Sequence, residues 1–289
     1  MDLRTVEEHR HSVSTPFGDV SYLDIGEGPT ALFVHGVGTN AALWRHVIEA
    51  CAAHRRCIAL DLPLHGRSAA RDDQDFTLGG LAAVLGQVWD SLELGTVDLV
   101  ANDTGGAIAQ VFAVREPGRL RTLTLTNCDT HDNLPPEAFG PVVELAKGGQ
   151  LAPLGIQLGR NVELIRRSAF AEGYEHPERV DDEVLYGYVR PVFGTLEAGR
   201  QFERLLLSLT AADLMAIEPE LKEFTVPTLV VWGTGDQNFA LRWAYWLRDT
   251  IAGATEVVEV EGGKLFFPEE RPADLVPHLL RFWDGNSPH

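Results

Sequence analysis

The stretch Leu99-Val100-Ala101-Asn102-Asp103-Thr104-Gly105-Gly106-Ala107 sets a carboxylate between an apolar strand and a Gly-rich apolar helix. A sharp strand-to-helix turn strains the backbone of its central residue. The residues two before and two after must be small, or their side chains collide. Ala101 and Gly105 stand at those two positions. The turn also puts Asp103 at a helix N-terminus, where the helix dipole favours an anion. An aspartate before a helix is often only an N-cap. Context singles this one out: a buried strand precedes it, an apolar helix follows, and a His35-Gly36 loop lies upstream. A carboxylate so placed can act as a nucleophile or as a proton acceptor.

The elements around Asp103 alternate. Residues 11–25 read as two strands with a turn at Gly18-Asp19, and 31–36 and 56–63 read as interior strands. Between those two, 41–53 has helical spacing, with Leu43, Val47 and Ile48 on one face. A helix opens at Thr77-Leu78, a strand runs over 96–103, a helix over 107–114 and a strand over 121–127. Two more strands, 225–233 and 255–262, are each followed by a helical pattern. Uninterrupted apolar strands alternating with helices imply an α/β protein with a mostly parallel central sheet covered on both faces. Residues 132–222 break the alternation and read as helix without a convincing strand. Pro135-Pro136 suit a first helical turn there, and Gly148-Gly149 stop that helix. The expected organisation is a core of 1–131 and 216–289 with a helical cap, 132–215, inserted between two sheet strands.

Composition narrows the function. At 289 residues, with 45% hydrophobic and 23% charged side chains, the chain has the make-up of a globular protein with one large core. Lys and Arg number 24 against 42 Asp and Glu, giving a net charge of −18. Such a surface repels nucleic acid and anionic membrane, so neither is expected as a partner. Three cysteines without C-x-x-C spacing argue against structural zinc and a disulfide framework. No apolar run reaches the roughly 18 residues needed to span a bilayer, and the N-terminus lacks an apolar signal core. A cytoplasmic protein is expected. With no G-x-G-x-x-G after a strand and no metal-ligand cluster, neither cofactor nor metal is expected.

Four segments together carry a family resemblance. They are Phe33-Val34-His35-Gly36-Val37-Gly38 running on to Leu43-Trp44-Arg45, then Asp61-Leu62-Pro63-Leu64-His65-Gly66-Arg67-Ser68, the turn at Asp103, and Trp232-Gly233-Thr234-Gly235-Asp236. The chain resembles the haloalkane dehalogenase and epoxide hydrolase branch of the α/β-hydrolases over nearly its whole length. The resemblance implies the α/β-hydrolase fold. It implies an oxyanion hole from the backbone N–H groups of Val37 and Thr104. It also implies in-line attack by Asp103 on a saturated carbon, displacing halide or opening an epoxide to leave an alkyl ester. A carboxylate suits that step because it is already ionised at neutral pH. Asp236 matches the acid that orients the catalytic histidine, and His35 and His65 match loop histidines with a structural role.

The pattern breaks at that histidine. Its position falls on Leu265, beside Lys264, and no histidine lies between His176 and His278. The base that activates water against the ester is absent from its usual place. General-base help is worth roughly 10²–10⁴ in rate, so alkylation proceeds where hydrolysis stalls. The halide-holding positions are Thr104 and Val37, which supply neither Trp nor Asn. His131 is the candidate replacement base, oriented by Asp129 or Asp132, and Lys264 is a second candidate that requires a burial-depressed pKa. Asp129 also matches the position that bears the triad acid in some relatives. Tyr186 and Tyr188 are candidate donors to an opening epoxide, though two apart on a helix at most one faces the site. Trp44, Tyr186, Tyr188, Lys264 and Leu265 are the expected pocket residues.

Three functions fit. One is a hydrolase-like enzyme using Asp103 on a small, mostly apolar substrate. A second is a lyase, decarboxylase or cyclase with Asp103 as acid/base. The third is a ligand-binding protein that keeps the pocket without the chemistry.

Overall fold

The computed structural model describes residues 1–286. Eight strands form one sheet: β1 (Arg10–Thr15), β2 (Gly18–Ile25), β3 (Thr30–Val34), β4 (Arg56–Leu60), β5 (Val97–Asp103), β6 (Leu120–Cys128), β7 (Thr228–Gly233) and β8 (Ala254–Val260). Their order is β1-β2-β4-β3-β5-β6-β7-β8. The β1–β2 and β2–β4 pairs are antiparallel, and every other pair is parallel. All seven residues of β5 are buried, as are all six of β7, whereas the edge strands β1 and β8 are half exposed. This is the α/β-hydrolase fold that the apolar runs foreshadow. Strands with helices on both faces read as near-continuous apolar segments, although interior β5 and β6 also carry polar residues such as Asp98, Asn102, Thr124 and Asn127.

Local chemistry moves some boundaries. The β1–β2 turn falls at Pro16-Phe17, ahead of the expected Gly18-Asp19, because Thr15 Oγ1 accepts from Phe17 N at 3.1 Å and donates to Gly18 O at 2.8 Å. Residues 41–53 divide into a 3₁₀ turn, Ala41–Trp44, and a helix, Arg45–Cys51. The Asn40 side chain caps Ala42 N, and Asp61 Oδ1 takes Ala41 N, which tightens the first turn. Pro135-Pro136 stand before the first helical residues rather than inside them: a 3₁₀ turn at Glu137–Phe139 leads into the helix Gly140–Lys147, which ends at Gly148 as expected.

Between β6 and β7 the described residues form helices and no strand. The sequence-based limit at residue 215 falls inside the helix Ala211–Ala216, and this helix and Glu218–Glu223 pack on the helix Thr104–Arg115. Among the described residues no helix is long and apolar enough to cross a membrane.

Candidate active site

Parallel strands deliver their C-terminal ends to one edge of the sheet, and loops there gather side chains from distant parts of the sequence. Here β3 leads to Gly36-Val37, β5 ends at Asp103, β6 leads to Asp129 and β7 leads to Asp236. Asp103 adopts φ 57° and ψ −138°, a conformation that costs an L-residue on the order of 1–3 kcal/mol. The turn tolerates it because its neighbours are small. A Cβ on Gly105 would lie 2.4 Å from the His35 carbonyl oxygen. A Cβ on Gly36 would lie 2.2 Å from Asp103 Oδ2. The N–H groups of Val37 and Thr104 face the Asp103 carboxyl and favour its charged form.

Two buried histidines hold the Val37 loop. His35 Nε2 accepts from Leu62 N at 2.9 Å, while its Nδ1 lies 2.7 Å from Gly36 O. His65 Nε2 accepts from Gly38 N at 3.0 Å, with Nδ1 3.1 Å from Pro63 O. Each ring therefore accepts through Nε2 and donates through Nδ1, which is the neutral tautomer. Burial agrees, pushing His35 down to about 4 and His65 down to about 3. These rings are permanent backbone ties, and the direction of the Val37 N–H depends on them.

Three carboxyls share the site. Asp129 Oδ2 accepts from Thr104 Oγ1 at 2.9 Å, while its buried Oδ1 has no partner. Burial pushes Asp129 up to about 7, with Asp236 adding to the rise. Asp236 is pushed up to about 6 by burial, against the opposing effect of its hydrogen bonds and of nearby Lys264. Asp103 is raised well above the ordinary carboxylate range by burial first, then by Asp129 and Asp236. Like charges in a dry site cannot all ionise at neutral pH, so Asp103 and Asp129 titrate as a pair and hold a proton between them.

Asp103 and Asp129 open onto a cavity of about 80 Å³. Its other walls are mainly apolar, from Leu134, Phe139, Phe170, Leu206, Leu265 and Phe266 among others. The expected site residues divide. Val37, Asp103, Thr104, Asp129 and Leu265 line the cavity. Asp236 does not, although its neighbours Asn238 and Phe239 do.

His131 corrects the expectation of a replacement base. Its ring sits against Trp246 with centroids 4.8 Å apart, and its Nε2 meets Glu218 Oε2 at 3.1 Å. No histidine is among the described residues that line the cavity. The tyrosines are likewise engaged elsewhere: Tyr186 Oη accepts from Val162 N, and buried Tyr188 donates to Glu269. Trp44 is fully buried against Phe33 in the core, and Lys264 is not part of the cavity wall. The pocket assignments of Trp44, Tyr186, Tyr188 and Lys264 are therefore revised.

Two asparagines were missed by the sequence reading. Asn127 Nδ2 donates to Asp236 Oδ2 at 2.8 Å and to Gly233 O at 3.0 Å, while its Oδ1 accepts from Gly233 N. Asn102 Nδ2 donates to Leu265 O at 3.1 Å, tying the segment after β8 to the end of β5. The available signal was an amide one residue before the end of a buried strand, where a free side chain would be costly to bury. Among the described residues, no group of three or more His, Cys, Asp or Glu is arranged to hold a metal ion.

A strained strand-to-helix turn bearing a carboxyl, at the C-terminal edge of this sheet, defines an α/β-hydrolase site. The chain belongs to the alpha/beta hydrolase fold family, whose model matches residues 29–271. It is 30% identical to a haloalkane dehalogenase of Agrobacterium fabrum over 167 residues, covering 50% of this chain and 54% of that one, about half the relative's length. It is 28% identical to haloalkane dehalogenase 2 of Mycobacterium bovis, over 91% of each chain. Among solved structures, the haloalkane dehalogenase DatA of Agrobacterium tumefaciens C58 superposes with a TM-score of 0.81 at 22% identity, covering 96% of this chain and 97% of that one.

Proposed function

We propose that the protein is a hydrolase-like enzyme in which Asp103 attacks a saturated carbon of a small, mostly apolar substrate and forms an alkyl ester. The observation that carries this is the Asp103 carboxyl itself, held in a strained turn on the floor of a small apolar cavity with two backbone N–H groups facing it. One carboxylate oxygen rests toward those N–H groups, which become the oxyanion hole when the ester is hydrolysed. The other oxygen is the attacking atom. The helical segment between β6 and β7 acts as a cap that supplies the apolar wall, and the similarity to dehalogenases supports the same reading.

The test is the intact mass of the protein after incubation with 1-bromobutane and with 1,2-epoxybutane, beside an Asp103→Asn control. A mass increase or product on the wild type alone supports the proposal. Solvent ¹⁸O entering Asp103 in a single turnover assigns the ester to that side chain. Neither adduct nor product with either reagent overturns it. A second reading, acid–base chemistry without a covalent ester, is favoured by the cluster of raised carboxyls. It predicts Asp103-dependent turnover with no ¹⁸O incorporation.

A further inference from the structure

Asp103 and Asp129 are the only ionisable side chains among the described residues that line the cavity. They sit at adjoining strand ends, where β5 pairs Asp103 with Cys128 of β6. Thr104, next to Asp103, donates its hydroxyl to Asp129 Oδ2. Gln110 Nε2 holds the Asp129 carbonyl at 2.9 Å, which fixes the backbone of the loop. Asp129 Oδ1 remains buried and without a partner. A buried polar atom left unpaired costs about 1–3 kcal/mol, so a native site that keeps one calls for a partner that arrives with the ligand.

We propose that Asp129 takes over the work of the missing histidine, first as proton donor to a leaving oxygen and then as the base that activates water, and that the substrates are small epoxides rather than alkyl halides. The proposal rests on the Asp103 reading and adds a residue and a substrate class to it. Two N–H groups and the N-terminus of the helix Thr104–Arg115 favour negative charge on Asp103, whereas Asp129 has a single hydroxyl donor. In this scheme the shared proton starts on Asp129, against the burial and neighbouring charges that raise Asp103 well above the ordinary carboxylate range, and an infrared titration decides between the two carboxyls.

The cycle balances. Asp103 attacks the less hindered epoxide carbon, the C–O bond breaks, and the Asp129 proton passes to the opening oxygen. Asp129, now ionised, takes a proton from water, and the hydroxide adds to the Asp103 ester carbonyl. The tetrahedral oxyanion, held by the Val37 and Thr104 N–H groups, expels the alkoxide, which takes the proton of the newly formed Asp103 carboxylic acid. Epoxide and water become a diol, with Asp103 ionised and Asp129 protonated as at the start.

A halide would fit this site badly. It leaves as an anion beside Asp129 and Asp236 and gains nothing from a proton donor, and its ester forms while Asp129 still carries the proton that blocks its action as base. The ionisable groups that act on Asp129 among the described residues are Asp103, Asp236 and the buried thiol of Cys128, with the Lys264 ammonium near Asp236.

The experiment follows single turnover of 1,2-epoxybutane and 1-bromobutane by intact mass and product analysis from pH 5.5 to 8.5. In the wild type, epoxide opening falls as pH rises through about 7, as the donor is lost, while release of the butyl ester rises over the same range. Asp129→Asn lowers diol formation by roughly 10²–10⁴ and accumulates a persistent ester with 1-bromobutane. Diol formation by Asp129→Asn within ten-fold of wild type overturns the assignment of Asp129 while leaving Asp103 intact. Absence of both ester and product on the wild type with either reagent overturns the Asp103 reading and this one with it. Independently of any substrate, an infrared titration of the carboxylic-acid C=O band shows a component near pH 7 that Asp129→Asn removes. If Asp103→Asn removes that component and Asp129→Asn leaves it, the proton sits on the wrong residue and the proposal fails.

Discussion

Adding one methyl group at Gly36 tests whether the position of the Asp103 carboxyl carries the chemistry. A Cβ at this position would lie 2.2 Å from Oδ2, 2.3 Å from Cβ and 2.4 Å from Cγ of Asp103. Ordinary contact begins near 3.4 Å, so the carboxyl must retreat by roughly 1 Å or the 36–38 loop must lift away. Either response separates Asp103 from the Val37 N–H. A misplacement of about 1 Å costs on the order of 10²-fold in rate, or about 2.7 kcal/mol of barrier. Overpacking costs about 1–3 kcal/mol of stability, which lowers the melting temperature and leaves the protein folded. The assay compares the single-turnover rate of ester formation on wild type and Gly36→Ala by intact mass, beside thermal melts of both. Gly187→Ala is the control. It lies in the helix Asp182–Phe193, away from the cavity, and its Cβ would meet nothing within 4 Å. The expected pattern is a hundred-fold loss for Gly36→Ala and none for Gly187→Ala. A folded Gly36→Ala that alkylates within three-fold of wild type would refute the reasoning.

Other perturbations follow from the same contacts. Asp129 and Asp236 have folded pKa values near 7 and 6, above their usual 3.8, so the folded state binds their protons more tightly. The stability they contribute is complete below about pH 4 and is lost as pH rises to 7, by on the order of a few kcal/mol. Melting curves of wild type and Asp129→Asn should therefore diverge in favour of the variant between pH 5 and 8, and a constant offset would contradict the assignment. Arg45 forms a buried ion pair with Glu269, whose Oε2 also accepts from Tyr174 and Tyr188. Arg45→Met leaves that carboxylate uncompensated and should cost about 3–5 kcal/mol by denaturant unfolding. A loss under 1 kcal/mol would mean that the two tyrosines suffice. His131→Ala should keep ester formation and release within two-fold of wild type, because the ring meets Glu218 and Trp246 and not the cavity. A ten-fold slower release would return His131 to the mechanism.

The amino-acid sequence by itself determined the sheet, the layers around it and the place of Asp103. Each depends on local chemistry: apolar runs of strand length, helical periodicity, and small residues two before and two after a turn. The departure at Leu265 was legible for the same reason, since an absent histidine is a property of one position. Which side chains meet across the loops was decided only by the tertiary structure. His131 and Asp129 are two residues apart, yet Asp129 is drawn to the Thr104 hydroxyl at the cavity while His131, at φ 51°, meets Glu218 and the tryptophans. Tyr188 read as a cap tyrosine until the fold set the buried Glu269 beside it. Asn127 looked like the end of a strand, and its bond to Asp236 spans 109 residues of sequence. Pairings of this kind depend on where the chain packs, because a buried donor or acceptor takes whichever partner the fold brings within 3 Å, and sequence spacing carries no record of that distance.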